Sequence, residues 1–173
     1  MRLNFPVLDL QTVEEELAFG AVESILANDP TLKAVTKLFL SWKGDVEDIW
    51  KPSVATCPYL RITPMGGSAA WETEQQHKMP LKIEITAAVI GSNRKNLLNY
   101  WGAVRRALFP QNSVNQLNSV LAIIAAASAK GAMISRGIIS DQNFGVVVHT
   151  KNDGDRICWT QATLTVVMLV ATP

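Results

Sequence analysis

The sequence predicts an α+β protein: a single layer of mostly antiparallel sheet packed by two or three helices, with a long loop between two of its strands. Three observations carry this expectation. Over residues 81–89 apolar and polar side chains alternate with period two, as in a strand covered on one face. Over residues 94–108 the period becomes that of an amphipathic helix. From residue 156 onward alternation returns over a run long enough to cross a sheet. In the first run Leu81, Ile83, Ile85, Ala87 and Val89 face one way, and Lys82, Glu84 and Thr86 the other. Gly91-Ser92-Asn93 is the turn, where a Ser92 or Asn93 oxygen can cap the free amides of the next helix. In that helix Leu97, Trp101, Val104 and Leu108 recur at helical spacing. Arg94, Lys95, Asn99 and Arg105 fall largely opposite, and Pro110 stops the helix.

Taken in order, residues 1–11 are an irregular lead-in. Thr12 and Glu15 make a T-x-x-E capping box, and Val13, Leu17, Ala21 and Ile25 with Ala18, Val22 and Leu26 trace an apolar stripe over a helix from 12 to 28. Glu14, Glu15 and Glu16 oppose the positive end of that helix's dipole; successive helical residues point in different directions, which suits a solvated face better than a metal site. Asn28-Asp29-Pro30 ends the helix. Residues 35–42, rich in β-branched and aromatic side chains, form the first strand, and 44–51 a polar loop. Leu60 and Ile62 then alternate with Tyr59, Arg61 and Thr63 in a second strand that Pro64 terminates.

Residues 65–80, MGGSAAWETEQQHKMP, have no core face of their own. A structureless connection beyond about 12 to 15 residues is uncommon, so this loop is functional or disordered in the free protein. Trp71 stands in its middle, and an indole in a polar loop is costly unless covered. Two readings stay open: it anchors against a neighbouring subunit on assembly, or it tucks back onto its own sheet. Beyond the central helix, residues 113–130 carry Val114, Leu117, Leu121 and Ile124 at helical spacing before a capping Gly131, and the second half is apolar nearly all round. Strands follow over 132–140, 143–150 and 156–172, with Asp153-Gly154 as a tight hairpin turn. In the last strand Thr160, Ala162, Leu164, Val166, Met168 and Val170 share a face, with Gln161, Thr163 and Thr165 opposite.

No repeat or linker divides the chain, so residues 1–173 read as one domain, large enough to bury roughly 70% of its unfolded surface without staples. Sixteen basic against 15 acidic residues leave no whole-molecule field for nucleic acid or an acidic membrane. Charged residues are 18%, below the ~25% of ordinary soluble domains, and mean hydropathy is +0.13, so some apolar surface is expected to meet a partner. Cys57 and Cys158 lack the dense spacing of a secreted disulfide scaffold, which suits a reducing cytosol. The first ten residues are too short in apolar character for a signal peptide, and no apolar run approaches the ~20 residues of a membrane helix; a soluble chain is expected.

Cys57, His77, His149 and Cys158 are the residue types of a zinc tetrad, but none forms a short clamp, and two ordinary cysteines with two loop or strand histidines explain them better. Neither cysteine sits in an activated-thiol motif. Gly66-Gly67 and Gly91-Ser92-Asn93 match neither dinucleotide nor phosphate loops. No cofactor, metal or catalytic residue is expected. The candidate site is an interface: Trp71 with Glu72 and Glu74 in the loop, and the basic pairs Arg94-Lys95 and Arg105-Arg106 on the central helix. Those bases either pair with Glu72 or Glu74 of another subunit or are simply solvated.

The amino-terminal helix, the strand CPYLRITPM, the long polar loop, the strand LKIEITAAVIG, the helix NRKNLLNYWGAVRRALF and the closing strand TQATLTVVMLV together resemble tail terminator proteins of long-tailed bacteriophages. The resemblance is one of pattern and order over most of the chain. It implies a structural virion protein that is not an enzyme, assembled in the host cytoplasm into a ring, usually a hexamer. Such a ring caps the tail tube, stops its polymerisation and offers a surface to the head connector. The implied partners are further copies of the chain, the tube protein and the connector and neck proteins, with no membrane; the genome would pass through the ring without sequence-specific binding. Residues 65–80 would correspond to a segment that orders on assembly. A head-completion or connector protein of the same neck, and an enzyme or ligand-binding module on an α+β scaffold, are the alternatives.

Overall fold

The structure, a computed structural model, describes residues 11–41, 53, 55–67, 70–73, 76–91, 94–109, 133–148 and 156–171. In chain order the elements are α1 (Gln11–Asn28), α2 (Pro30–Val35), β1 (Leu38–Ser41), β2 (Tyr59–Gly67), β3 (Ala70–Thr73), β4 (Gln76–Ile90), α3 (Arg94–Leu108), β5 (Met133–Val148) and β6 (Arg156–Ala171). The strands form one sheet in the order β1-β2-β4-β6-β5, with β3 paired to β4 beyond the end of β2. Among the described residues only β1–β2 is parallel, and every other pairing is antiparallel. The fold is therefore α+β, as the alternation and the helical period predict.

The helices lie on one face of the sheet. Leu81, Ile83, Ile85, Ala87 and Val89 of β4 join Leu60 and Ile62 of β2 and Ala162, Leu164 and Val166 of β6 beneath Ala21, Val22 and Ile25 of α1 and Leu97, Trp101, Val104 and Leu108 of α3. The sequence periods place these residues because burial on one side is what writes such periods. The expectation of a single covered face fails at one end of β4. There Ala88 is fully buried on the opposite face in a second cluster with Cys57, Tyr59 and Ile157, flanked by Leu38, Leu40 and Trp159.

The strand-to-helix turn after β4 begins at Gly91, whose φ of 122° is a conformation side chains resist. Its N–H donates to the Arg156 carbonyl at 2.7 Å, and its own carbonyl accepts from the Cys158 thiol at 2.9 Å, which ties the turn to the start of β6. The capping residues expected at Ser92 and Asn93 lie outside the described residues, as do Pro110, the helix expected over 113–130 and the Asp153-Gly154 turn. The hairpin that this turn would close is present, since Val148 of β5 pairs with Arg156 of β6.

Four further expectations are corrected. The segment 65–80 is mostly strand: β2 continues to Gly67, β3 spans Ala70–Thr73 and β4 begins at Gln76. Its polarity hid this, because its pairing is that of an extended hairpin with no periodic core side chain to announce it. Pro64 does not terminate β2. The partner β1 ends where Ser41 meets Ile62, so beyond that point β2 is an edge strand among the described residues and a missing N–H costs no ladder bond; a register shift follows between Pro64 and Gly66. A separate helix, α2, follows α1, started by Asp29, whose side chain accepts from Leu32 N–H at 2.8 Å, with Pro30 in its first turn. Finally, the two runs 132–140 and 143–150 are one strand, β5, with a register shift between Ser140 and Asn143.

Lengths differ sharply between the layers. At about 3.3 Å per residue, the 15-residue β4 and the 16-residue β5 and β6 run about 50 Å, whereas the 15-residue α3 spans about 22 Å. The β4–β6 pairing continues without break from Ile90↔Ile157 to Gln76↔Ala171. The helix-covered cluster reaches along β4 from Val89 to Leu81, and the strand continues from there to Gln76.

Candidate functional site

The central helix forms one wall of an open groove of about 490 Å³ at the end of the sheet from which α3 departs. Val35 of α2, Pro58 before β2, Val89 and Ile90 of β4 and Ala103 of α3 supply its apolar lining. Thr31, Asn96, Asn99, Tyr100 and Arg106 supply the polar part. Val35 and Ile90 are 46% and 38% exposed, two of four large apolar side chains so exposed among the described residues; Met65 and Leu98 are the others. Isolated exposed apolar residues need no explanation, but two that share one concave surface mark a place where another surface fits.

The groove walls are held by polar bonds. Tyr100 Oη and Thr36 Oγ1 lie 2.7 Å apart, joining α3 to the end of α2. The Pro58 carbonyl accepts from Lys37 N–H at 2.8 Å and from Leu38 N–H at 3.3 Å, which fixes the entry to β1 against the entry to β2. A groove framed this way is preformed.

Burial pushes Tyr100 up to about 12; the Thr36 hydroxyl beside it works the other way and the nearby Cys57 adds to the rise. Cys57 is raised from 9.0 to about 11, by burial first, against the pull of Lys37. Tyr59 is also raised, by burial, with the Arg61 guanidinium opposing. All three acids are therefore held neutral, and Cys57 is the opposite of an activated thiol. Each binds its proton more tightly folded than unfolded. The stability this implies is complete below the unfolded values, near 9 for the thiol and 10 for the phenols, and is lost as pH rises through about 11 to 12. Urea midpoints are expected to be flat from neutrality to about pH 9 and then to fall, with tyrosinate absorbance appearing together with unfolding. Tyrosinate that titrates near 10 in protein still folded would contradict this.

Of the interface residues expected from sequence, Arg94 and Lys95 are exposed in the first turn of α3, and Arg105 and Arg106 in its last. The last pair opposes the negative end of the helix dipole. Trp71 and Glu72 lie in β3, while Glu74 lies outside the described residues. Within one chain the structure does not bring these groups together: β3 pairs the first residues of β4, and Arg106 lines a groove at β4's last residues. The groove itself was not legible in sequence, because its lining comes from four separate stretches. Among the described residues no group of three or more His, Cys, Asp or Glu could hold a metal ion, and no helix is long and apolar enough to cross a membrane. Cys57 and Cys158 are both free and buried.

What fold and site define together is an α+β chain with helices on one face of a long-stranded sheet and an apolar-floored groove at one end. No protein-family model matches the chain, and no curated protein matches it in sequence. Among solved structures it is similar to a chain of one described as the virion of native gene transfer agent (GTA) particle, at 15% identity over 86% of this chain and 93% of that one, with a TM-score of 0.48. That likeness carries no functional argument.

Proposed function

We propose that this chain is a structural virion protein of a phage-like particle, and more narrowly a tail terminator. In this reading several copies, six by the resemblance, close into a ring at the head-proximal end of the tail tube, end its polymerisation and present the joining surface for the head connector. The chain works by contact, with no cofactor and no bond made or broken. The observation that carries the reading is the reach of β4 past the helix-covered cluster: its backbone runs on from Leu81 to Gln76, where it pairs β3. The preformed groove supports it as a receiving surface, and Trp71, Glu72, Glu74, Arg94, Lys95, Arg105 and Arg106 are the residues proposed for contacts between copies. Identical subunits with a donor and a receiving surface suit closed rotational symmetry.

The test is addition of purified protein to polymerising tail tubes. Rings in negative stain, bound at one end only, and tubes that stop lengthening are the expected results. Tubes that grow as long and as fast with the protein as without it would exclude the terminator role.

A further inference from the structure

The groove and the β3–β4 tip stand at opposite ends of the same strand. Val89 and Ile90 line the groove, whereas β3 pairs Gln76, His77 and Lys78. From Gln76 to Ile90 an extended strand covers about 45 Å. The tip of one chain is thus out of reach of its own groove. Their chemistry matches. The groove floor is apolar, with Val35 and Ile90 exposed in it. Its rim carries Arg106, next to the exposed Arg105, on a helix whose sequence RKNLLNYWGAVRRAL contains no acidic residue. The strand β3, AWET, brings an indole at Trp71 and a carboxylate at Glu72. Tryptophan and arginine are among the residues most enriched at the strong contact points between proteins.

We propose that the groove formed by α2, α3 and the end of β4 receives the β3 segment of a second copy of this chain, with Trp71 as the apolar anchor and Glu72 directed to Arg105 and Arg106. This rests on the ring reading and specifies it. Donor and acceptor are different surfaces of one subunit, so the contact is head-to-tail, and each copy offers one of each. Such heterologous contacts close into a ring when the rotation permits and run on into a filament when it does not. Isologous pairing, groove to groove, would place Arg106 against Arg106 and is disfavoured by like charge.

The experiment mixes two full-length variants, Thr73→Cys as donor and Asn99→Cys as acceptor, with a short bismaleimide. The native Cys57 and Cys158 are buried and serve as the unreactive background. A covalent dimer is expected in the mixture and not with either variant alone. Adding Arg105→Glu and Arg106→Glu to the acceptor should lower its yield about tenfold, the equivalent of about 1.4 kcal/mol, and Glu72→Lys in the donor should restore most of it. Absence of the dimer, or a yield indifferent to both charge reversals, overturns the proposal. The mass of the unmodified protein separates the two levels: a ring without this cross-link sinks the groove contact alone, and a protein that is monomeric even beside tail tubes sinks the ring as well.

Discussion

Trp101→Ala is expected to lower the unfolding free energy by about 3–5 kcal/mol, a large share of the margin of a domain this size. Trp101 is 3% exposed at the centre of α3's buried face, in the cluster that α1 shares with the helix-covered side of the sheet. Its neighbours belong to separate elements, each already fixed by backbone pairing, so they cannot all move inward to fill the void. The cost should then approach the full transfer and cavity terms. A second variant separates packing from polarity. The indole N–H is buried without a hydrogen-bond partner among the described residues, so Trp101→Phe removes an unsatisfied donor along with part of the volume. The two effects oppose one another, and a net loss under about 1.5 kcal/mol is expected. Urea unfolding at constant m reads both. A Phe variant as damaged as the Ala variant would show that the indole N–H has a valuable partner in the folded protein.

What the sequence made legible here, and what it did not, follows from how burial is distributed. Helix α3 and strands β4 and β6 were readable residue by residue. Leu97, Trp101 and Val104 recur on the buried face of α3, and Ile83 and Ile85, like Ala162 and Leu164, are buried while their strand neighbours are not. The ends of the long strands were hidden for the opposite reason. Around Trp71 and His77 the sheet is a paired ribbon in a polar stretch, where hydrogen bonds and not side-chain periodicity hold the strands.

Two prolines sit inside strands by the same logic. Pro64 lies in β2 past the end of β1. Pro80 lies in β4 between its last partner on β2, at Leu81, and its first partner on β3, at Lys78. In each case the side that lacks an N–H faces a gap, so the residue that signals a strand's end is accommodated inside one. Helix α2 was missed because Asn28-Asp29-Pro30 reads as a stop, and the same Asp29-Pro30 pair is also a start. Of the candidate site, Arg105 and Arg106 were singled out by charge alone. That Arg106 borders an apolar groove depends on Val35, Pro58 and Ile90 meeting it from elsewhere in the chain, and no local pattern encodes such a meeting.

Glu84→Ala, on the sheet face opposite the helices, is expected to cost about 2–3 kcal/mol. One carboxylate oxygen accepts from Arg61 Nη2 at 2.6 Å, and the other accepts from the Gln161 amide. The register explains the geometry. Thr86 pairs with both Arg61 on β2 and Gln161 on β6, so Glu84, two residues along, reaches each as a diagonal neighbour and laces three strands together. The Arg61 and Glu84 side chains are only 14% and 16% exposed, so removing the carboxylate takes the opposite charge from a mostly buried guanidinium and an acceptor from the Gln161 amide. Breaking a fully buried pair costs about 3–5 kcal/mol, and the residual solvent contact scales that down. The double variant Arg61→Met, Glu84→Leu leaves no charge behind and should recover most of the loss, since apolar replacements of buried pairs are often neutral. Denaturant midpoints for the two single variants and the double variant give the coupling directly. If the double variant loses as much as the two single variants added together, the pair does not act as a unit, and the three strands are held in register by backbone pairing alone.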